Sequence, residues 1–401
     1  MTLVTRFQVQ SKAGVAMQIG DRCDVDVTAI AHGGHCIARH DGRVIFVRHA
    51  IPGEKVTVEI TDVTKNFARG NCIAVISASP FRVNAPCKYA TPLGCGGCDF
   101  QHIAPAHQRQ LKRDIIVEQF QRLAKMDIDV EVEEVLPVLH WRSRMEFTIS
   151  DNSRLGLFSS RSSRIVEIDS CEIAHENIDI SEINQRRLPK GKRVDVTITS
   201  AGYNEIVIEG RENLSLVKEK VGDFEFSLNP VSFWQSHRAA PELLSSVVKE
   251  FAEVKSGEHI FDLYGGVGLF TAALLSEIGP GGRITSIESD DNATIDARRN
   301  FANEDRVEIV HARVEKALSK YVAANVVILD PPRAGAGSKV IEAIITLQPR
   351  VIVYVACDPA SLARDTAYLK ERGFVLEKIR AFDLFPMTAH MESVARFIPE
   401  I

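Results

Sequence analysis

The sequence predicts a multidomain α/β protein: an N-terminal β-barrel, a β-rich central domain and a C-terminal doubly wound domain. Three observations predict this fold class. The 401 residues exceed the length of one usual domain core. Residues 18–80 alternate apolar and polar side chains between glycine turns, which is typical of a small barrel. From about residue 240 onward, strand and helix patterns alternate, which is typical of an open, mostly parallel sheet.

The composition is that of an ordinary globular protein. Hydrophobic residues make up 45% of the chain and charged residues 25%. The N-terminal stretch MTLVTRFQVQSKAG lacks the apolar core of a signal peptide, and no apolar run reaches the length of a membrane span. We therefore expect a cytoplasmic protein with no membrane partner. The net charge of −5 excludes a uniformly basic surface but is compatible with a local basic groove.

The predicted barrel, residues 18–80, contains strand patterns such as GRVIFVRHA and EKVTVEI. Its loops are basic and polar between His32 and His40 and between Lys65 and Arg69. Such loops suit a barrel that binds nucleic acid, and a purely structural β domain fits this segment equally well. Three cysteines fall within the strand pattern and are predicted to be packing residues: Cys23, Cys36 and Cys72.

The predicted central domain, residues 81–228, combines a helix with several strand patterns. The helix is expected over about residues 106–125, and its apolar stripe is available to pack on the C-terminal domain. Basic residues cluster along the strand-rich part, where they are either phosphate contacts or a solvated face. These clusters are Arg142 and Arg144; Arg161 and Arg164; and Arg186, Arg187, Lys190, Lys192 and Arg193.

Four cysteines in the central domain form a separate group. Cys87, Cys95 and Cys98 follow the spacing Cys-x7-Cys-x2-Cys, and Cys171 lies downstream. Because a disulfide framework is not expected in a reducing compartment, this group indicates a metal site. Zinc and iron–sulfur clusters both accept four cysteines, so the spacing alone does not decide between them.

The predicted C-terminal domain, residues 229–401, has a glycine-rich turn, DLYGGVG, after its first strand. Its glycines allow a tight turn and close approach of a ligand to a helix N-terminus. Thr271 replaces the third glycine of a dinucleotide fingerprint, which argues against a nicotinamide-linked redox enzyme. Glu288 ends the next strand, 20 residues beyond Gly268, where a carboxylate accepts hydrogen bonds from a ribose diol. This combination indicates S-adenosylmethionine as the ligand.

Three further residues are predicted to meet at the carboxyl edge of the same sheet. Asp330 begins a DPPR motif directly after the strand VVIL. Cys357 follows the strand VIVYVA and precedes a helix that opens with Asp358 and Pro359, where the helix N-terminus lowers the pKa of a thiol. Glu392 lies by a short apolar strand near the C-terminus. A lone cysteine at a strand end is most often a small buried hydrophobe.

A thiol and a carboxylate beside an activated methyl group fit methylation at carbon 5 of uracil. Carbon 5 becomes nucleophilic only after a thiolate adds to carbon 6. The methyl group is then transferred, a base removes the carbon 5 proton and the thiol is eliminated. Cys357 would be the nucleophile and Glu392 the base. An amino-group methyltransferase would need neither residue, and a non-catalytic RNA-binding protein would need no donor site.

Taken together, the motifs resemble those of the RNA uracil-5-methyltransferase family, the TrmA and RumA type, which is class I S-adenosylmethionine-dependent and has an N-terminal TRAM barrel. The resemblance covers about residues 18–401 and is carried by GRVIFVRHAIPGE, CGGCDFQH, FWQSH, DLYGGVG, DPPRAG, YVACDPASLARD and DLFPMTAHMES. It implies that Cys357 is the nucleophile and Glu392 the proton acceptor. It also implies methyl-donor contacts from Gln235, Tyr264, Glu288 and Asp330.

The resemblance also implies a cofactor and a substrate. Similar members carry a four-iron, four-sulfur (4Fe–4S) cluster on Cys-x5-Cys-Gly-Gly-Cys plus a distant cysteine, and the first gap here is two residues longer. The implied partner is RNA, with 23S ribosomal RNA favoured and the T-loop of transfer RNA as the alternative. A monomer without an obligate protein partner is expected. Three residues depart from the family pattern near the donor: Leu269, Arg313 and His237.

Overall fold

The computed structural model describes residues 17–210 and 215–400, which fall into two compact units. Among these residues, the first unit comprises 17–29 and 35–80, and the second comprises 30–34 and 81–400. None of the helices in the described ranges combines the length and apolar character that crossing a membrane requires.

The first unit is a five-stranded β-barrel. Its strands are β1 Arg22–Ile30, β2 Cys36–His40, β3 Arg43–Arg48, β4 Lys55–Val63 and β5 Phe67–Ser77. They close in the order β1-β2-β3-β5-β4, which confirms the barrel predicted for this segment. Alternate side chains point inward, so aliphatic residues such as Val25, Ile45 and Val58 fill the core. Cys36 and Cys72 lie in this core and Cys23 packs against it, as predicted.

The second unit begins with a helix and a small antiparallel sheet. In chain order its first elements are α1 Pro105–Gln119, β6 Val132–Glu134, β7 Arg144–Ile149, β8 Leu155–Phe158, β9 Ile165–Glu167, α2 Ile180–Ile183, β10 Arg193–Ile198, β11 Asn204–Ile208, β12 Val217–Val221 and β13 Phe224–Leu228. Five strands form a sheet in the order β11-β10-β7-β8-β9. One face of this sheet packs with α2 around a core that contains Phe147, Val194 and Ile183.

The rest of the second unit alternates helices and strands, as the sequence predicts. These elements are α3 Ala240–Ala252, β14 His259–Leu263, α4 Leu269–Leu275, β15 Arg283–Glu288, α5 Asp291–Asn300, β16 Val307–His311, α6 Val314–Leu318, β17 Val326–Leu329, α7 Gly337–Thr346, β18 Val351–Ala356, α8 Pro359–Lys370, β19 Phe374–Asp383 and β20 Glu392–Pro399.

These strands build a large sheet in the order β16-β15-β14-β17-β18-β20-β19-β6. The strands from β16 to β18 run parallel to one another, and β20 is antiparallel to β18. The chain moves outward in one direction from β14 to β16 and then returns to β17 on the other side of β14. This reversal creates the crevice at the carboxyl ends of the strands where ligands bind in doubly wound sheets. The predicted fold class is therefore confirmed.

Elements from upstream of residue 229 complete this sheet domain. Strand β6 pairs in parallel with β19, with Glu133 opposite Phe382. Helix α1 continues into a π-helical turn, Phe120–Ala124, and both pack against α8. The hairpin β12–β13 contributes Phe226 and Leu228 to the core of the sheet domain. The domain division at residue 228 stays a prediction, but the large sheet depends on residues before it.

Candidate active site

The turn after β14 exposes its backbone at the carboxyl edge of the large sheet. Gly268 has a φ of 98° and Tyr264 a φ of 60°, both in the left-handed region. A Cβ atom at Gly268 would lie 2.3 Å from the ring of Phe301, and one at Gly265 would lie 2.2 Å from Ser286 Oγ. Glycine is therefore required at Gly268 by close approach and by conformation, whereas a side chain at Gly265 would have to displace the Ser286 hydroxyl.

Asp262, in β14, links this turn to α4 through hydrogen bonds. The Asp262 Oδ2 atom accepts hydrogen bonds from the backbone N–H of Thr271 (3.0 Å) and from its hydroxyl (2.6 Å). Burial raises the pKa of Asp262 to about 6. Thr271, the residue that breaks the dinucleotide fingerprint, thus holds the glycine-rich turn in place through its hydroxyl.

The carboxylate of Glu288 is held at the mouth of the same turn by three backbone amides. Oε2 accepts a hydrogen bond from Gly266 N (3.0 Å), and Oε1 accepts from Ser289 N (2.5 Å) and Asp290 N (2.7 Å). Acceptor-only oxygens fixed in this way suit a ligand that donates hydroxyl hydrogen bonds, such as a ribose diol. The residues present therefore fit the nucleoside part of S-adenosylmethionine.

Tyr264 and Gln235, which are also predicted to contact the donor, lie in two different segments. Tyr264 directly follows β14, and burial raises the pKa of its phenol to about 12, so the phenol is protonated at neutral pH. Gln235 is 8% exposed and lies in the FWQSH segment before α3. That segment is anchored to α5, because the Ser232 hydroxyl donates to Asp296 Oδ2 (2.7 Å).

His237 has a packing role. Its ring stacks on Trp141 with centroids 5.6 Å apart and an interplanar angle of 11°. Nδ1 accepts a hydrogen bond from Ala239 N (3.1 Å), and Nε2 donates to Pro137 O (3.3 Å). Burial lowers the pKa of His237 to about 4, which keeps the ring neutral. With both nitrogens bonded to backbone, this departure from the family pattern serves the fold.

The other two departures lie at helix starts. Leu269 is the buried first residue of α4 and belongs to the core of the sheet domain. Arg313 is exposed before α6, where its Nε lies 2.9 Å from Glu315 Oε1. The charge of Arg313 opposes the rise in the pKa of Tyr264, the residue that directly follows β14.

Cys357, Glu392 and Asp330 converge from three neighbouring strands. In the pairing of β18 with β20, Ala356 lies opposite Ser393, so Cys357 and Glu392 follow as the next pair at the strand ends. Asp330 follows β17, and its N–H donates to Leu263 O at the end of β14 (3.3 Å). The sequence prediction that these three residues meet at one sheet edge is thus matched by the register of the strands.

Burial dominates the electrostatics of Cys357. Asp358 caps α8, since its Oδ1 accepts a hydrogen bond from Ser361 N (2.8 Å), and Cys357 precedes this cap. Burial, followed by the charges of Glu392 and Asp330, nevertheless raises the pKa of the thiol to about 12. The expectation that the helix N-terminus lowers this pKa is therefore wrong, because desolvation and two carboxylates outweigh it. At neutral pH the thiol needs a proton acceptor close by.

Glu392 is 4% exposed, and its Oε1 forms no hydrogen bond within the described residues. Burial, together with the charge of Asp330, raises the pKa of Glu392 well above its usual range. Burial and the charge of Asp262 raise the pKa of Asp330 to about 7. Two such carboxyl groups near each other share protons and titrate as a pair. The site thus holds a thiol beside two buried carboxyl groups whose pKa values are both raised.

Arg333 and His390 lie at the same edge, and the sequence did not single them out. The charge of Arg333 opposes the rise in the pKa of Cys357. Its Nη2 lies 3.4 Å from His390 Nε2, and burial lowers the pKa of His390 to about 4. Arg333 ends the DPPR motif, which was the available signal. Its role beside the thiol depends on β17 and β18 being neighbours.

The four cysteines predicted as ligands line a single pocket, together with Tyr89 and Gln101. Cys87, Cys95 and Cys98 reach it from one loop, and Cys171 reaches it from the segment after β9. No three His, Cys, Asp or Glu side chains within residues 17–210 and 215–400 are arranged to hold a single metal ion. The placement of four thiols around one pocket is what the structure shows of this group.

The basic clusters of the central domain differ in exposure. Arg144 is almost buried and pairs with buried Glu219 (3.1 Å), so this cluster belongs to the fold. Arg164 is exposed and donates to Ser159 Oγ (3.1 Å). The last cluster is exposed throughout: Arg186, Arg187, Lys190, Lys192 and Arg193.

Two family models match the chain: the TRAM domain over residues 17–73 and tRNA (uracil-5-)-methyltransferase over residues 217–397. An uncharacterized RNA methyltransferase of Streptomyces coelicolor is 36% identical, over 95% of this chain and 93% of its own length. The chain belongs to the RNA uracil-5-methyltransferase family. A relative in Corynebacterium diphtheriae, an uncharacterized RNA methyltransferase, is 33% identical over 94% of this chain and 96% of its own length.

A solved structure shares the fold of this family member. Pyrococcus abyssi tRNA (uracil-54, C5)-methyltransferase, in complex with S-adenosyl-L-homocysteine, aligns with a TM-score of 0.71 and 22% identity, over 93% of this chain and 99% of that chain. Family membership confirms three predictions: an S-adenosylmethionine-dependent RNA uracil-5-methyltransferase, a TRAM barrel and an RNA substrate. It excludes the redox enzyme and the non-catalytic RNA-binding protein.

Proposed function

We propose that the protein forms 5-methyluridine by covalent catalysis, with Cys357 as nucleophile and Glu392 as proton acceptor. The observation that carries this proposal is the placement of the thiol next to a buried carboxyl group whose Oε1 has no hydrogen-bond partner in the described residues. Both lie on the sheet edge that also carries the glycine-rich turn and Glu288. A thiol, a base and a methyl-donor site on one edge are what carbon 5 methylation needs.

In the first step the thiol adds to the base. The Cys357 proton passes to a carboxylate of the Asp330–Glu392 pair and from there to solvent. The sulfur then bonds to carbon 6, and the electrons of the C5=C6 double bond move to carbon 5 and the carbonyl at carbon 4. Carbon 5 is now a nucleophile beside the methyl donor.

In the second step carbon 5 takes the methyl group, and S-adenosylhomocysteine leaves. Glu392 Oε1 then accepts the carbon 5 proton, the electrons of that C–H bond restore the C5=C6 double bond, and the C6–S bond breaks. Cys357 is regenerated as a thiolate. The raised pKa of Glu392 makes it a stronger base toward this proton than an exposed carboxylate would be.

The donor is proposed to bind along the turn after β14. Glu288 would accept hydrogen bonds from the ribose hydroxyls, because three amides hold its oxygens at that place. The other proposed donor contacts are Gln235, Tyr264 and Asp330.

A uridine of 23S ribosomal RNA, reached in the cytoplasm, is the target we propose. The T-loop uridine of transfer RNA is the second candidate, favoured by the shared fold with an enzyme that acts on uracil 54 of tRNA. Mass mapping of 5-methyluridine in both RNAs from a strain lacking the gene decides between them. Loss of the modification from tRNA alone would contradict the ribosomal assignment.

Two variants test the separate roles of Cys357 and Glu392. Cys357→Ala should abolish methylation and every covalent RNA adduct, because carbon 5 is then never activated. Glu392→Gln should still add and methylate, but the carbon 5 proton stays and a methylated protein–RNA adduct accumulates. Denaturing gels with radiolabelled methyl donor measure both outcomes, and 5-fluorouridine RNA should trap the wild type in the same way. Turnover by Cys357→Ala would refute the covalent route.

We also propose that Cys87, Cys95, Cys98 and Cys171 hold a 4Fe–4S cluster with a structural role. When bound, such a cluster would cross-link the loop at 87–98 to the segment after β9 and supply folding energy there. Cys171→Ala should lose iron, visible absorbance and solubility together, whereas Cys23→Ala in the barrel should lose none of them. Anaerobically purified protein that contains zinc and no iron would contradict the cluster.

A further inference from the structure

We propose that Gln108 and Lys112 of α1 are positioning residues for the catalytic base, an inference that rests on the role proposed for Glu392. Both side chains are 0% exposed and lie four residues apart, so they share one face of the helix. Both contact the segment 383–391, which runs from the last residue of β19 to the start of β20 and is called the base loop below.

The helix holds the base loop at three places. Lys112 Nζ donates to Asp383 Oδ1 (2.5 Å) and to Phe385 O (3.1 Å). Gln108 Oε1 accepts a hydrogen bond from Met387 N (2.9 Å). Residues 383, 385 and 387 are thus fixed in succession by two side chains of a helix that lies some 270 residues earlier in the chain.

A second set of hydrogen bonds holds the side chain of Gln108 itself. Its Nε2 donates to Phe100 O (3.1 Å) and Ile103 O (2.8 Å). The N–H of Phe100 in turn donates to Met387 O (3.0 Å). Every polar atom of the Gln108 side chain is therefore used, and its amide cannot turn without breaking several hydrogen bonds at once.

Glu392 depends on the base loop for its position. Its Oε1 has no hydrogen-bond partner within the described residues, so nothing polar orients that oxygen directly. Phe382 pairs with Glu392 across β19 and β20, and Asp383 is the next residue along. Fixing Asp383 to Lys112 therefore fixes the end of the hairpin that carries the base.

Stability alone does not explain a buried lysine at this place. Apolar residues of similar volume often stabilise a fold as well as, or better than, a buried ion pair. A buried pair does restrict geometry, because displacement of the base loop would leave two uncompensated charges. The advantage of the Lys112–Asp383 pair is that it places Glu392 Oε1 over the carbon 5 proton.

The base loop is not needed for the earlier steps, because Asp330, which follows β17, remains to accept the Cys357 proton. Cys357 lies after β18, and the turn proposed for the methyl donor lies after β14. A displaced Glu392 would still allow the C6–S bond to form and the methyl group to be transferred. Transfer of the carbon 5 proton would slow, since misplacement of a catalytic group by about 1 Å costs up to about 100-fold in rate.

The experiment compares methyl transfer with proton release in a single turnover. The substrate is total RNA from a strain lacking the gene, labelled with tritium at uracil carbon 5, and the donor carries a ¹⁴C methyl group. The variants are Gln108→Leu and the double variant Lys112→Met/Asp383→Leu, which leaves no lone buried charge. Gln110→Leu makes the same change at an exposed position of α1 and is the matched control.

In the wild type and in Gln110→Leu, ¹⁴C incorporation and tritium release should proceed together. In both test variants ¹⁴C should enter at close to the wild-type rate, while tritium release slows by about 10- to 100-fold and a methylated adduct builds up. The double variant should do this with a thermal midpoint at or above that of the wild type, which separates positioning from unfolding.

Equal slowing of both labels, or no change in either, would overturn the positioning role. Failure of the proposed function looks different, because wild-type protein would then form no adduct with RNA containing 5-fluorouridine. If Gln108→Leu does not fold, the double variant alone decides.

Discussion

At the scale of single residues, the site concentrates buried carboxyl groups. Asp262, Asp330 and Glu392 all have pKa values raised by burial. A carboxyl group whose pKa is higher in the folded state than in the unfolded chain stabilises the fold fully only below the unfolded value. This contribution is lost as the pH rises through the folded value. The site is therefore a local source of instability at neutral pH, and the proton transfers proposed above would need carboxyl groups of this kind.

Asp330→Asn should consequently stabilise the protein in a pH-dependent way. The pKa of Asp330 rises from 3.8 to about 7 on folding, so the gain should be full above pH 7 and vanish below about pH 4. We expect roughly 3 kcal/mol at pH 8, which is less than the full pKa shift would give because residue Asp330 as a whole is only half-buried. Urea unfolding at pH 4 and pH 8 measures the gain, with exposed Asp305→Asn as the control. Equal stability of variant and wild type at pH 8 would contradict the burial of an ionised Asp330.

The sequence motifs predicted which residues lie at the site, but they did not predict the pKa of the Cys357 thiol. Cys357 and Asp330 each follow an apolar strand, and Glu392 stands by one, so their place at a sheet edge follows from the sequence. The pKa of Cys357 depends on which strands are neighbours and on how deeply the thiol is buried. Both are properties of tertiary packing, and the local helix N-terminus gave the wrong direction.

At the scale of elements, the turn after β14 depends on glycine at Gly268. This residue combines a φ of 98° with a Cβ clash against Phe301. Gly268→Ala should destabilise the protein by on the order of 3 kcal/mol and weaken binding of the methyl donor. Thermal unfolding and calorimetric titration with S-adenosylhomocysteine measure both effects. Gly281→Ala is the control, because no atom lies within 4 Å of its added Cβ.

Long, regular elements were predictable and short or irregular ones were not. The apolar runs of β17 and β18 are buried at every position, and continuous apolar runs of this kind can be predicted from the sequence alone. Strand β6 has three residues, too few to show alternation, and it is defined by pairing with β19. The predicted helix over 106–125 passes into a π-helical turn at Phe120, and Lys125 ends that turn in a left-handed conformation.

At the scale of the whole molecule, some basic side chains are buried in ion pairs and others are exposed at the surface. Lys190 and Lys192 are exposed in the turn before β10. Replacing both with glutamine should weaken RNA binding and reduce the slope of log affinity against log salt by about one for each lysine. Filter binding over a salt series measures this slope. The control is Lys255→Gln/Lys320→Gln, which changes two exposed lysines that precede β14 and β17 at the amino ends of the sheet strands. This control should leave the salt slope unchanged. Equal slopes for both double variants would refute a role of Lys190 and Lys192 in RNA binding.

The composition of the large sheet also determines which fragments of the chain can fold. A fragment of residues 217–400 covers the matched methyltransferase segment but lacks α1 and β6. Asp383, which is 2% exposed, would lose its only salt-bridge partner in the described residues, Lys112. A lone buried charge of this kind costs about 3–5 kcal/mol. The fragment should therefore be insoluble or molten by near-UV circular dichroism, whereas residues 81–400 should fold.

The pairing of α1 and β6 with the far end of the chain also has a consequence during synthesis. A ribosome releases the N-terminus first, so α1 emerges with Gln108 and Lys112 long before Asp383 has been translated. Strand β19 and the base loop are translated long after α1 and β6, and the sheet edge at β6 stays unpaired until then. The buried side chains of α1 therefore lack the partners that cover them until β19 and the base loop have been translated. Up to that point in synthesis, Gln108 and Lys112 have no base loop to hold.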